Sequence, residues 1–305
     1  MTERPVTTAA PGTWTTRTLL DWMTRAFEAK DLDEPRLCAE MLLTHVLGCQ
    51  RLRLYMEADR PASAQERERL RGLVGRALKH EPIQYLIGRW PFFGIELKTD
   101  KRALIPRPST ETIVESVLQW RRAAGDPAAP LRIADICCGG GAIAIALAKN
   151  LPGARVIATD LSQEALSLAA ENIADYGLAE RIELRLGDLL DPLAGEAPLD
   201  VIVSNPPYIP DDEWAAVEAN VRDYEPEMAL RAGPDGMQFV RPLLEQVGGL
   251  LAPGGRVLVE VAASRVEDAR GMAEGAGLAG VQVLKDIDGL PRVIVGGQRG
   301  RGVSE

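Results

Sequence analysis

The chain has 305 residues, 46% hydrophobic and 26% charged, with a formal net charge of −9. That length leaves room for one large or two ordinary domains, and the composition is ordinary for a soluble globular protein, with no apolar run approaching a membrane span. The charge is uneven: residues 1–83 carry 13 Lys+Arg against 12 Asp+Glu and the remainder 22 against 32, a poor match to a phosphate backbone, so no direct nucleic-acid partner is expected.

Residues 1–12 are polar with Pro and Thr. They do not form a signal peptide and read as a disordered tail. Residues 13–81 read as a small helical domain that packs against or recognises a partner. Leu19, Leu20, Trp22, Met23, Ala26 and Phe27 recur at helical spacing. A second helix opens at Asp33 as N-cap, with Pro35 in its first turn, and ends at Gly48. A third, richly charged helix runs from Ser63 to His80. His45 reads as a packed histidine among apolar neighbours. Only His45 and His80 occur in the whole chain, which excludes a histidine triad or histidine-rich metal site from the larger domain. Cys38, Cys49, Cys137 and Cys138 make no C-x-x-C pair. Neither a zinc site nor a disulfide framework is indicated, no metal is expected, and a reducing cytoplasm fits.

Residues 82–105 read as a hairpin linker, with Tyr85-Leu86-Ile87 and Ile95-Glu96-Leu97 as short strands between Pro and Gly. Ser109 is placed to cap a helix beginning near Thr110. Pro106-Arg107-Pro108 is either a rigid turn or a segment carrying Arg107 over a ligand cleft. From 106 to 298 strands and helices alternate: strands Leu131–Ile136, Arg155–Thr159, Ile182–Leu186, Leu199–Ser204 and Arg256–Val261, helices Ala142–Lys149, Ser162–Tyr176, Asp212–Arg222, Met237–Leu251 and Val266–Ala276. A strand pair, Val281–Ile287 and Arg292–Val295, closes the domain, and 299–305 is a tail. The alternation predicts an α/β fold with a parallel sheet.

The first strand leads to Cys137-Cys138-Gly139-Gly140-Gly141 and then a helix. Small residues there let a ligand approach the backbone, and the helix start supplies free N–H groups. Gly139, Gly141 and Ala144 satisfy the dinucleotide fingerprint, and Asp160 lies about 20 residues on, where an acid takes ribose hydroxyls. This pattern alone does not separate NAD from S-adenosylmethionine. Asp135 favours the latter, because a carboxylate there meets a cationic amino-acid end but repels a pyrophosphate. Asp188, with Leu189 beside it, is placed to line the adenine pocket.

The fourth strand stops at Asn205-Pro206-Pro207-Tyr208. Two prolines cannot extend a ladder. Asn205 offers an amide oxygen and nitrogen, Pro206 a carbonyl on a stiff segment, Tyr208 a ring. Two rigid acceptors and a ring suit a planar NH2 group, either an adenine or a glutamine side chain. Strands one and four should be neighbours where strand order reverses, so the Gly loop and Asn205 should face one cleft.

These residues resemble the amino-methyltransferases that use S-adenosylmethionine. The wider set, Glu81–Tyr85, Ile105–Pro108, Asp135–Ala144, Asn205–Tyr208, Tyr224–Glu227 and Asp288–Arg292, resembles the release-factor glutamine methyltransferases of the HemK/PrmC type. The resemblance implies a Rossmann-like seven-stranded methyltransferase sheet with an N-terminal helical-bundle domain that recognises substrate. The chain is expected to act as a cytoplasmic monomer. It implies S-adenosyl-L-methionine as cofactor, held by Asp135, Cys137, Cys138, Gly139, Gly140, Gly141, Asp160, Asp188, Leu189 and Asn205. It implies as substrate the glutamine of the Gly-Gly-Gln loop of peptide chain release factors, met by Asn205, Pro206, Pro207, Tyr208 and Arg107, with Asn205, Pro206 and Tyr208 catalytic. The chain departs from the family at Ser109 (usually Glu), at Cys137 (usually Gly), and after Glu260, where Val261-Ala262-Ala263 lacks the usual glycine and glutamine. A glutamine methyltransferase of a ribosomal protein and a DNA adenine N6-methyltransferase are the alternatives. The Gly296-Gly297-Gln298 tripeptide near the end, which matches the implied substrate, reads as coincidence.

Overall fold

The computed structural model describes residues 14–126 and 128–299. The expected tail at 1–12 lies outside the described residues. The chain forms two compact units, one reaching Gly88 and including Ala219–Tyr224, the other comprising Arg89–Glu218 and the chain from Glu225. No helix among the described residues is long and apolar enough to cross a membrane.

The smaller unit begins with α1 (Thr16–Glu28), opened by Thr15, whose hydroxyl accepts the Thr18 N–H. Leu19, Leu20, Met23 and Phe27 of α1 pack with Leu42, Leu43 and Val46 of α2 (Pro35–Leu47). Asp33 does not cap α2. Its carboxylate takes the N–H of Glu34, and Glu34 occupies the cap in a left-handed conformation, out of the right-handed helical region that proline disfavours for the residue before it. His45 is exposed on α2 rather than packed. A six-residue helix, α3 (Arg51–Met56), lies where no element was expected; it is too short to show a period. In α4 (Ala64–Ala77), Ser63 and Glu66 form a capping box. The Tyr85-Leu86-Ile87 piece is not a strand but part of α5 (Ile83–Ile87), ended by left-handed Gly88. A three-residue apolar run carries no period to separate the two structures.

The larger unit starts with a hairpin, β1 (Arg89–Phe92) and β2 (Ile95–Lys98). A 3-10 turn, Pro108–Thr110, leads into α6 (Glu111–Ala123), and no side chain caps that helix. Ser109 instead bonds the Glu260 carboxyl. Then follow β3 (Leu131–Ile136), α7 (Ala142–Asn150), β4 (Ala154–Asp160), α8 (Gln163–Asp175), β5 (Ile182–Leu186) and β6 (Leu199–Ser204). The expected helix over 212–222 is instead a 3-10 turn at Trp214–Ala216 and the one-turn α9 (Ala219–Arg222). The helix expected over 237–251 is α10 (Val240–Gln246), and Leu251 already belongs to β7 (Leu251–Glu260). The chain closes with α11 (Val266–Gly275), β8 (Ala279–Lys285) and β9 (Pro291–Gly297).

Strand order is β5-β4-β3-β6-β7-β9-β8, seven strands, with β9 antiparallel to both β7 and β8 and the rest parallel. The sheet is therefore mixed rather than wholly parallel. Two apolar clusters cover it. One contains Ile133, Val156, Val201 and Leu258 with α6 and α7, the other Ala134, Ile157, Ile202 and Val257 with α10 and α11. This two-sided burial explains the continuous apolar strands. Strand order reverses between β3 and β6, which pair in parallel with Asp135 opposite Val203 and Ile136 opposite Ser204. Cys137 and Asn205, the next residue of each strand, thus emerge side by side at the carboxyl ends, where doubly wound sheets bind ligands. Gln298 pairs its backbone with Gly254 and Gly255, at the end of β7 far from Asn205, which supports coincidence for the Gly-Gly-Gln tripeptide.

Candidate active site

Asp135 is fully buried at the end of β3. Its Oδ2 accepts the Ala144 N–H in the first turn of α7 at 2.9 Å, while its Oδ1 has no partner. Burial pushes its carboxyl up to about 8. An unpartnered oxygen in so dry a position suits a cationic donor, which would draw the carboxyl back toward its ionised form.

The loop after Asp135 is left-handed at Cys137 (φ 57°), Gly139 (φ 54°) and Gly141 (φ 83°). Cys137 takes this conformation without being glycine, at a cost of roughly 1–2 kcal/mol. Gly139 donates its N–H to Asp160 Oδ2 at 2.8 Å, and Asp160 Oδ1 accepts the Ser162 N–H at 2.9 Å. The buried Asn172 on α8 donates to the Gly140 carbonyl at 3.0 Å. Gly141 takes a φ of 83° that glycine adopts without strain, with the Ala169 methyl of α8 3.4 Å from where a Cβ would lie. The loop is thus braced from β4 and from α8. Cys138 is buried in the core. Burial raises both thiols, so neither is a thiolate nucleophile at neutral pH.

A cavity of about 220 Å³ opens in front of this loop. Cys137, Gly139, Asp160, Leu161, Asp188, Leu189, Asn205 and Pro207 are on its wall, together with Phe239 and Met228. Of the residues expected to hold a cofactor, the structure brings Cys137, Gly139, Asp160, Asp188, Leu189 and Asn205 to this wall. Asp135, Cys138, Gly140 and Gly141 support the loop from behind it.

Asn205 lies at the junction of the cavity and a buried polar cluster. Its Nδ2 donates to Thr110 Oγ1 at 3.0 Å. Thr110 donates in turn to Glu260 Oε2 at 2.7 Å, and Ser109 donates to Glu260 Oε1 at 3.0 Å. Glu260 is wholly buried at the end of β7, and its carboxyl is raised by that burial against the pull of the two hydroxyls and Arg292. Asn205 Oδ1 is buried without a partner. Pro206 and Pro207 are buried beside it. The Tyr208 hydroxyl is pushed up to about 12 by burial and by the nearby Glu260 charge, so the phenol stays neutral.

Arg107 is not on the cavity wall. Its guanidinium pairs with Glu225, which is 5% exposed and also accepts the Ile105 N–H at 2.9 Å. This pair joins the Pro-Arg-Pro segment to the stretch that follows α9. Thr110, Glu225 and Glu260 had no assigned role in the sequence. Each lies in another segment from Asn205, and no local pattern links them.

The surroundings of the site match known families. Residues 18–88 match the model of the PrmC N-terminal domain, and residues 133–224 match a methyltransferase domain. The release factor glutamine methyltransferase of Chlorobaculum tepidum is 41% identical over 283 residues, covering 92% of this chain and 96% of the relative. That of Geobacter sulfurreducens is 40% identical over 289 residues, covering 95% and 99%. That of Rhodopirellula baltica is 37% identical, covering 92% and 95%. Among solved structures, the catalytic domain of hMettl16, in complex with a MAT2A 3'UTR hairpin, superposes with a TM-score of 0.54 at 15% identity, covering 70% of this chain and 79% of that chain. At that identity the likeness concerns the fold alone.

Proposed function

The chain belongs to the release factor glutamine methyltransferase family, and we propose that it transfers a methyl group from S-adenosyl-L-methionine to the side-chain amide nitrogen of the glutamine in the Gly-Gly-Gln loop of peptide chain release factors. The observation that carries this reading is Asn205 Oδ1, buried and unpartnered, on a residue that lines the cavity.

The residues present fit the cofactor. Asp160 stands at the end of β4 for its ribose hydroxyls, and Asp188 and Leu189 line the wall for its adenine; Asp135, buried behind the loop, carries the unpartnered Oδ1 that would take the ammonium group once the loop admits it. When bound, S-adenosylmethionine supplies a methyl group on a positively charged sulfur.

A glutamine amide nitrogen is a poor nucleophile because its lone pair is delocalised. The chain compensates by position. Asn205 Oδ1 accepts one N–H of the substrate amide and the Pro206 carbonyl accepts the other, which holds the nitrogen toward the methyl group. Positioning of this kind is worth ~7–11 kcal/mol, and preorganised dipoles add to it. Tyr208, neutral at any physiological pH, packs on the amide plane. Once methylated, the nitrogen is acidic enough to release its proton to water, so no strong base is required. Arg107 and Glu225 fasten the two loops of the site, and the smaller unit recognises the release factor in the cytoplasm.

The test is a methyl-transfer assay with labelled cofactor, presenting release factor, DNA and ribosomal proteins side by side. Label on the glutamine of the release factor alone supports the proposal. Label on DNA or on a ribosomal protein instead overturns it.

A further inference from the structure

We propose that Ser109, Thr110 and Glu260 form a polar relay that decides which way the Asn205 amide faces, making Thr110 and Glu260 positioning residues for methyl transfer. The proposal rests on the reading of Asn205 Oδ1 as the acceptor of the substrate N–H.

The oxygen and the NH2 of an asparagine amide have nearly the same shape, so packing does not choose between them. Hydrogen bonds must. If the amide turned over, Asn205 would present an NH2 to a substrate NH2, and the site could not hold a glutamine.

The choice begins at Glu260. Both of its carboxyl oxygens receive a hydroxyl hydrogen and so accept rather than donate. Ser109 Oγ donates to its Oε1 at 3.0 Å and Thr110 Oγ1 to its Oε2 at 2.7 Å. A threonine hydroxyl has a single hydrogen, and Thr110 has committed it to Glu260. Only lone pairs then face Asn205, and they can receive Nδ2–H, at 3.0 Å, but not Oδ1. The oxygen is turned away and left buried without a partner. The relay spans three segments, the turn before α6, the end of β6 and the end of β7. Each hydroxyl and carboxylate has its direction set by the next.

Thr110→Val keeps the shape and removes the hydroxyl. It should lower kcat about ten- to hundredfold, the worth of one directing hydrogen bond, while KM for release factor and the affinity for S-adenosylhomocysteine stay within about twofold. Thr110→Ser should restore kcat to within about threefold of the parent, because the hydroxyl returns. Glu260→Gln should behave like Thr110→Val: its Nε2 can donate to Thr110, freeing the threonine hydrogen for Asn205 Oδ1 and reversing the relay. The double variant should be no worse than either single one.

A second readout is independent of activity. In 15N spectra of the whole protein, one Asn205 Nδ2 proton should be protected from exchange in the parent and in Thr110→Ser, and unprotected in Thr110→Val. Loss of kcat in Thr110→Ser equal to that in Thr110→Val, or an unprotected Nδ2 in the parent, overturns the relay. A protected Nδ2 in a protein that methylates no release factor overturns the functional reading and leaves the relay standing.

Discussion

Asn205 and Thr110, 95 positions apart in the chain, meet through a 3.0 Å bond from amide Nδ2 to hydroxyl Oγ1. That bond points the other end of the amide, Oδ1, into a buried position with no partner. A native fold keeps few such atoms, and this one lies beside the cavity wall. Asn205→Ala removes the acceptor. We expect kcat to fall by about 10²–10³ or more, as for other preorganised polar groups, with S-adenosylhomocysteine still binding in calorimetry. Near-normal turnover would rule out the mechanism.

The buried Asp135 makes stability and cofactor binding depend on pH. Its folded carboxyl sits at about 8, above the unfolded value of about 3.9. A raised carboxyl favours the fold while protonated, so its contribution is complete below about pH 4 and is lost as pH rises toward 8. The cofactor-free protein should therefore lose Tm over that window, and Asp135→Asn should lose less. An arriving ammonium group requires the carboxylate, so cofactor binding at pH 7 should release a proton. Calorimetry in two buffers of different ionisation enthalpy counts that proton. Equal apparent enthalpies for the parent, or an unchanged proton count in Asp135→Asn, would refute this coupling.

Arg107 and Glu225 form a pair in which the carboxylate side chain is 1% exposed and the guanidinium 29%. Arg107→Ala strands the buried charge, with the Ile105 N–H as a remaining donor. The expected loss is about 3–5 kcal/mol of unfolding free energy, read by urea denaturation. Adding Glu225→Gln to that variant should recover part of it, because a neutral amide is less costly to bury. A single Arg107→Ala variant as stable as the parent would show that the pair does not fasten these loops.

Gly141 is left-handed at φ 83°, and a Cβ there would meet the Ala169 methyl and Ile145 Cδ1 at 3.4 Å. Gly141→Ala should lower stability by about 1–2 kcal/mol from the backbone alone. It should also weaken cofactor binding by displacing the loop that Asp160 holds. Gly177 is also left-handed but open, with nothing near its Cβ position. Gly177→Ala should carry the backbone cost without changing cofactor affinity, and equal affinity losses in both variants would remove the loop from the explanation.

Much of the fold is legible in the sequence because its signals are local. Leu131–Ile136, Ile182–Leu186 and Leu199–Ser204 are apolar runs bounded by turn residues, and β3, β5 and β6 have those bounds. Ser63 with Glu66, and Ser162 before α8, announce their helices in the same way. Segments without a strong period went astray. Tyr85–Ile87 is helical and 212–222 is broken, since short apolar runs obey whatever packs on them.

The sequence by itself carried the local patterns of the proposed site. A Gly loop after a strand and a strand stopped by two prolines are patterns of neighbours, and neighbours in sequence are neighbours in space. The alternation of elements predicted a parallel sheet, while the order β5-β4-β3-β6-β7-β9-β8 that puts the switch point between β3 and β6 is seen in the structure. Only the tertiary structure decided how Asn205 is held. Thr110 reaches it from 95 positions away, and Thr110 and Ser109 are in turn tied to Glu260 across 150 and 151 positions, and nothing in their own surroundings along the chain marks them. Hydrogen-bond direction passes through space from carboxylate to hydroxyl to amide, and it exists only once the sheet has brought the ends of β6 and β7 to the turn before α6.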